Sequence, residues 1–206
     1  MLKLHNTLSN TLEEFKPNSE KVKIYLCGPT VQSSPHIGHG RSAVVFDFLI
    51  RYLAFLNYEI NFVRNITDIE DKIIERAEVE GITTKELADR VTKEFQDAYS
   101  GLNCLPPNNE PKATETIDHI INLIDELIKN EYAYVTHSGV YFEVGKFEDY
   151  LKLSGRNRDE VISGTRVDLE SDKKNTEDFA LWKISKENEP SWNSPWGGGR
   201  PGWHIE

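Results

Sequence analysis

Cysteine is scarce in this chain, with Cys27 and Cys104 the only two among 206 residues. That excludes a small secreted domain stapled by disulfides, and two cysteines so far apart in sequence are expected to be free thiols. Long apolar runs are missing as well. No stretch approaches the roughly 20 residues that span a bilayer, and the start turns polar at once, without a signal-peptide core. A cytoplasmic protein with no membrane association is expected. The Walker A pattern GxxxxGK[ST] is absent, so any nucleotide must be held another way. Basic charge is short too, because 24 Lys and Arg stand against 34 Asp and Glu, a net of −10. Grip on a phosphate backbone scales with Lys and Arg contacts, which argues against a general nucleic-acid binder. One cognate nucleic acid remains compatible with a local basic patch on an acidic body.

What is present centres on residues 25–47. Val22, Ile24 and Leu26 alternate with Lys23 and Tyr25, as in a strand. Val44, Val45, Phe48, Leu49, Tyr52, Leu53 and Leu56 recur at spacings of three and four, as in a helix. Between them lies a loop rich in Gly, Pro and Ser that ends in Pro35-His36-Ile37-Gly38-His39-Gly40. A helix start leaves backbone N–H groups without intrahelical partners and carries partial positive charge, so it favours an anion such as a triphosphate. Gly38 and Gly40 keep side chains out of the way there. His36 and His39, three apart, share one face of the first turn and have donors for phosphate oxygens.

Other readings of the same residues stand beside this one. A cysteine at a strand end is often a small buried hydrophobe, and two histidines at a helix start are often surface caps. Gly38-x-Gly40-x-x-Ala43, with Glu59 as a ribose partner, matches a dinucleotide pattern, but that pattern directly follows its strand and here a loop intervenes. Cys27, His36 and His39 would make a zinc site of their own, yet a closed site takes four ligands.

Along the chain, residues 2–8 read as an edge strand and residues 11–20 as a polar loop. Residues 58–63 supply a second strand, so strand, helix and strand form a βαβ unit with parallel strands. Ligands of such sheets sit beyond the carboxyl ends of the strands. Cys27, the histidine turn and residues 64–68 are therefore expected to share one crevice. A helix from Asp71 ends at Gly81, and Thr83 with Glu86 is a capping box opening another. Residues 102–111, with three prolines, read as a linker. Ile117, Ile120, Ile121, Ile124, Leu127 and Ile128 mark one apolar face of a further helix. Residues 132–136 and 140–144 read as a hairpin. A charged, loop-rich segment, 150–174, contains Arg156, Arg158, Arg166, Lys173 and Lys174, and residues 179–183 are again strand-like.

Cys27-Gly28-Pro29-Thr30-Val31, then Pro35-His36-Ile37-Gly38-His39-Gly40-Arg41, then Arg64-Asn65-Ile66-Thr67-Asp68-Ile69-Glu70-Asp71-Lys72 together resemble the amino-terminal part of cysteinyl-tRNA synthetases. His36 to His39 matches the HIGH signature of the class I synthetases, and the likeness runs over residues 2–206. The resemblance implies an α/β, Rossmann-like (HUP-type) parallel-sheet catalytic domain interrupted by an inserted α+β connective segment. Its parts are expected at residues 1–110, 111–175 for the insertion, which in the family approaches the tRNA acceptor end, and 176–206 for the start of the return to the catalytic sheet. The implied activity is ATP-dependent activation of L-cysteine and its transfer to tRNA(Cys) by a monomer.

Carried over by position, His36 and His39 are catalytic, and Pro35, His36, Gly38, His39 and Gly40 bind ATP with its Mg²⁺. Gly28, Thr67 and Trp203 bind cysteine, and Cys27 is one zinc ligand. The family's other three zinc ligands, its KMSKS loop and its anticodon-reading domain are not among these 206 residues. The expectation is an amino-terminal portion in which the fold is not completed and which is inactive alone. Alternatives on the same signals are a cysteine ligase acting on an amino sugar, a small HxGH nucleotidyltransferase and a non-catalytic synthetase-derived module.

Overall fold

The computed structural model describes residues 2–17, 19–156 and 172–205. They fall into two compact units, one from Pro17–Ile117 and the other from the described part of Met1–Lys16 together with Asp118–Ile205.

The chain begins with β1 (Lys3–Asn6) paired antiparallel to β2 (Thr11–Glu14), so the loop expected over residues 11–20 contributes a strand in its first four residues. Asn10, with φ of 54°, turns the corner between them, a conformation that Asn tolerates better than most residues. Local turn chemistry overrode the polar composition.

In the unit Pro17–Ile117, β3 (Lys21–Leu26) pairs parallel with β4 (Glu59–Arg64), and α1 (Ile37–Phe55) makes the crossover. This is the expected βαβ unit. The proline-rich segment expected as a linker continues the sheet instead. Asn108 N–H donates to Phe62 O at 2.8 Å, Arg64 N–H to Asn109 O at 3.1 Å and Ile66 N–H to Pro111 O at 2.8 Å, giving a third parallel line beside β4. Prolines are tolerated there because a sheet edge leaves some N–H groups unneeded.

Two helices cover this sheet region. Helix α2 (Asp71–Glu80) ends at Gly81 in the left-handed conformation, φ 66°, and α3 (Thr84–Gly101) starts with the expected Thr83 and Glu86 capping box. The core of the unit gathers Val31, Ala43, Ile66, Ile73, Leu87, Val91 and Phe95. Each large apolar side chain buried there contributes about 2 kcal/mol relative to exposure.

The apolar pattern expected as a helix is one, α1, and only part of it is buried. Ala43, Ile50 and Leu53 are buried, whereas Val45, Phe48 and Phe55 are 58%, 71% and 78% exposed. The helix is apolar on more than one side, so periodicity picks a stripe without saying which stripe packs. Phe48, Tyr52 and Phe55 stack along the open side.

A polar cluster supports the third line. Arg64, with its side chain 6% exposed, donates from Nε and Nη2 to Glu110 Oε1 at 3.0 and 2.6 Å. Its guanidinium lies 4.4 Å from the Tyr99 ring centroid, and Gln96 donates to the other Glu110 oxygen at 2.9 Å.

In the other unit, α4 (Ile117–Lys129) leads to β5 (Ala133–Val135), β6 (Gly139–Phe142), β7 (Phe179–Ile184) and β8 (Gly199–Pro201), which form one antiparallel sheet in that order. The hairpin is as expected. Within the described part of residues 176–206, β7 lies against β6, and β8 against β7. Gly139 and Gly199 permit this, since a Cβ would stand 2.1 Å from Trp182 O at the first and 2.3 Å from Lys183 O at the second. Close backbone approach decided the pairing, and a single strand pattern does not reveal its neighbour. Asp178 ties the sheet to its flank, accepting from Tyr134 Oη at 2.8 Å and Val144 N–H at 3.0 Å.

Glu110→Ala is expected to lower the unfolding free energy by about 3 kcal/mol, because it strands a buried guanidinium. Thr83→Ala, which removes only a cap, should cost about 1 kcal/mol. Urea unfolding followed by far-UV dichroism ranks the two, and equal losses would mean that the Arg64 pair supports nothing beyond a surface contact.

Candidate active site

The parallel ladder does not stop at the ends of β3 and β4. Thr67 N–H donates to Pro29 O at 3.1 Å and Val31 N–H to Thr67 O at 3.2 Å, a bridge between Thr30 and Thr67. Asn65 joins the two loops from its side chain, since its Oδ1 accepts from Gly28 N–H at 2.7 Å and its Nδ2 donates to Thr67 Oγ1 at 3.4 Å. A Cβ on Gly28 would lie 1.5 Å from Asn65 O, so no other residue fits there without moving the backbone. The strand ends thus bring Gly28 and Thr67 together, and Cys27, next in chain to β3, is an exposed free thiol.

Helix α1 starts on a reciprocal cap. His36 is the N-cap in extended conformation, and its Nδ1 accepts from Gly38 N–H at 3.1 Å. In return, His39 Nδ1 accepts from His36 N–H at 3.1 Å. The two rings lie 3.8 Å apart, tilted by 33°. Phe95 from α3 meets the His39 ring edge-on at 4.9 Å. Desolvation, then the neighbouring His36, pushes the His39 pKa below the ordinary histidine value.

This arrangement alters the expected anion cradle. The N–H groups of His36 and Gly38 are taken by imidazoles, and those of His39 and Gly40 bond to His36 O at 2.9 and 3.2 Å. Gly38 makes room for the folded-back ring, as a Cβ there would meet His36 Cε1 at 2.9 Å, and Gly40 makes room for Leu102 at 3.1 Å. Pro35 is half-buried just before the cap.

Asp68, expected in the crevice, turns inward. It accepts from Thr114 N–H at 2.9 Å and from Thr114 Oγ1 at 2.5 Å. Burial raises its pKa above the ordinary carboxylate value, opposed by those bonds and by Lys112. Arg64 is likewise committed to Glu110. Asn65 and Phe95 are the residues that reading by spacing did not single out. Asn65 sat unmarked inside a quoted run, and Phe95 lies in the helix opened by the Thr83 capping box, to which no chemistry was assigned.

The remaining candidates lie in the other unit. Trp203 is 59% exposed in a 3-10 turn, Trp203–Ile205, with its ring 5.1 Å from His204. Among the basic residues of 150–174, Lys174 bonds to Glu143 at 3.1 Å and sits 4.3 Å from the Tyr134 ring centroid, and Lys173 bonds to Thr176 O at 2.9 Å. Arg158 and Arg166 lie outside the described residues. Among the described residues, no three His, Cys, Asp or Glu gather to hold a metal ion. Cys27 is a soft donor of the type zinc accepts, but by themselves the described residues do not make a zinc site. No helix among them is long and apolar enough to cross a membrane.

Comparison with known proteins bears on the same residues. The model of the class I tRNA synthetase (C) catalytic domain matches residues 14–206. Cysteine-tRNA ligases from Vibrio atlanticus and Methanococcus maripaludis are each 51% identical over 100% of this chain. The chain belongs to the cysteine-tRNA ligase family. A third such ligase, from Thermodesulfovibrio yellowstonii, is 52% identical. The chain spans 45%, 44% and 43% of the length of these three relatives. In fold, it is similar to Mycobacterium tuberculosis methionyl-tRNA synthetase in complex with methionyl-adenylate, with a TM-score of 0.51 and 21% identity over 60% of this chain and 25% of that one. The architecture is accordingly that of a class I synthetase catalytic domain, seen here as part of a Rossmann-like fold.

Gly28→Ala is expected to destabilise the chain by about 3 kcal/mol through overpacking against the Asn65 carbonyl. A urea midpoint unchanged from the parent would show that the loops are not wedged together. The histidine cap also makes stability depend on pH. With its pKa lowered on folding, His39 binds a proton more readily in the unfolded chain, so stability is full above the unfolded value near 6.5 and falls as pH drops through the folded one. The thermal midpoint should therefore fall between pH 7.5 and pH 5.5 by more in the parent than in His39→Gln, and equal falls would remove His39 as the cause.

Proposed function

We propose that this chain carries the amino-acid-activating part of a cysteine-tRNA ligase. In that reaction, the L-cysteine carboxylate attacks the α-phosphate of ATP, the bond to the β-phosphate oxygen breaks, and cysteinyl-adenylate and pyrophosphate form. The cysteinyl group then passes to the terminal adenosine of tRNA(Cys), and AMP leaves.

The observation that carries this reading is the joining of the two strand ends through Asn65, together with a crossover helix that opens on two histidines. In open parallel sheets, the crevice beyond the strand carboxyl ends is where ligands bind. His36 and His39 act on the phosphates, opposing the negative charge that builds up during attack. Pro35, Gly38 and Gly40 line the ATP side, and Mg²⁺ accompanies the nucleotide. Gly28 and Thr67 face the cysteine, and Trp203 is assigned to cysteine on the family resemblance alone.

Cys27 is proposed as one thiolate donor to a zinc ion whose other ligands are not among the described residues. A bound zinc would select a thiol over a hydroxyl, because soft sulfur ligands suit it better.

The test uses a polypeptide of the relatives' full length that begins with these residues. Cysteine-dependent ATP–pyrophosphate exchange is expected, and His36→Asn should lower its rate by about 100-fold or more. Cys27→Ser should lower both exchange and bound zinc. Exchange that proceeds equally well without cysteine, or a product that forms on an amino sugar and not on tRNA, would overturn the assignment.

A further inference from the structure

The two histidines are bound to one another's backbone, and this limits which proton each can carry. An imidazole nitrogen that accepts a hydrogen bond from an N–H group is unprotonated, and the neutral ring then holds its proton on the other nitrogen. His36 Nδ1 accepts from Gly38 N–H, and His39 Nδ1 accepts from His36 N–H, both at 3.1 Å. We infer that His36 and His39 are a mutually locked pair of neutral imidazoles, each in the Nε2–H form, so that any hydrogen bond either ring gives to an anion at the start of α1 leaves from Nε2 and not from Nδ1.

Three further features favour the lock. Gly38 has no side chain where the His36 ring folds back, so the capping position is built in. Phe95 meets the His39 ring at 4.9 Å and limits its rotation. The rings lie 3.8 Å apart, a spacing at which two positive charges would repel strongly. A proton on either Nδ1 would replace an acceptor with a donor facing an N–H group, losing the cap bond. Uncapping a helix N-terminus destabilises the helix start. The helix start and the donor state are therefore one coupled device. A phosphate approaching it meets two oriented neutral donors, while the backbone N–H groups stay in place.

The tautomer follows from the cap geometry alone, whereas the identity of the anion rests on the ATP reading above. Long-range proton–nitrogen correlation spectra of the 206-residue chain at pH 7.5, with and without ATP and Mg²⁺, separate the two. The expected spectrum has both rings neutral, with Nε2 protonated and Nδ1 bare. In His39→Gln, where glutamine keeps the reciprocal acceptor, His36 should hold the same tautomer. Either ring in the Nδ1–H form, or charged at pH 7.5, overturns the lock. Added ATP should shift the Nε2–H signals and leave the Nδ1 signals in place. Tautomers as expected with no response to ATP would uphold the lock and overturn the ATP assignment, whereas an Nδ1 response would show that the nucleotide displaces the cap and would overturn the donor assignment.

Discussion

Much of this unit depends on the parallel pairing of β3 with β4 and its continuation past both strand ends. Six Cα partners hold the strands in register from Lys21 and Glu59 to Leu26 and Arg64. Beyond them, the chains would normally diverge into separate loops. Here Gly28 lies against the Asn65 carbonyl, and the Asn65 side chain bonds to both loops. A hydrogen bond shielded from water is costly to leave unmade, which makes the loop pair a firm base for a ligand. The exposed thiol of Cys27 and the buried Thr67 take their positions from this one junction.

The second organising feature is the start of α1. Many helices are capped by Ser, Thr, Asp or Asn, each using a side-chain oxygen. In this chain imidazole nitrogens fill both positions of the capping box. The substitution leaves the second nitrogen of each ring outside the cap while the first does the structural task. The capping role expected of two histidines at a helix start is thus present, and it leaves one nitrogen of each ring uncommitted to the cap.

Burial of charge is distributed with similar economy. Arg64 and Asp68 sit in a run that looks like a site when read along the chain, yet both turn to the interior, one to Glu110 and one to Thr114. Their partners are Glu110, in the segment read as a linker, and Thr114, just after it. A residue near a strand end has two sides to choose between, and the choice is made by partners some 46 residues away in the chain. Legibility failed in the same way for α1, whose apolar stripe was clear while its packed face was not, and for β7, whose strand character was clear while its neighbour was not.

What the sequence by itself determined was local and ordered: strand, glycine-rich loop, helix and strand, the capping box at Thr83, the stop at Gly81, the hairpin at residues 132–144, and the motif series that marks the family. These depend on neighbours a few residues apart, where backbone preference and side-chain reach are enough. Only the tertiary structure decided that residues 108–112 extend the sheet, that β7 and β8 join the hairpin, that Ala43, Ile50 and Leu53 are the buried residues of α1, and that Asn65 links the two loops. Each of those outcomes requires two distant segments to meet, and the geometry of such a meeting is a property of the folded chain.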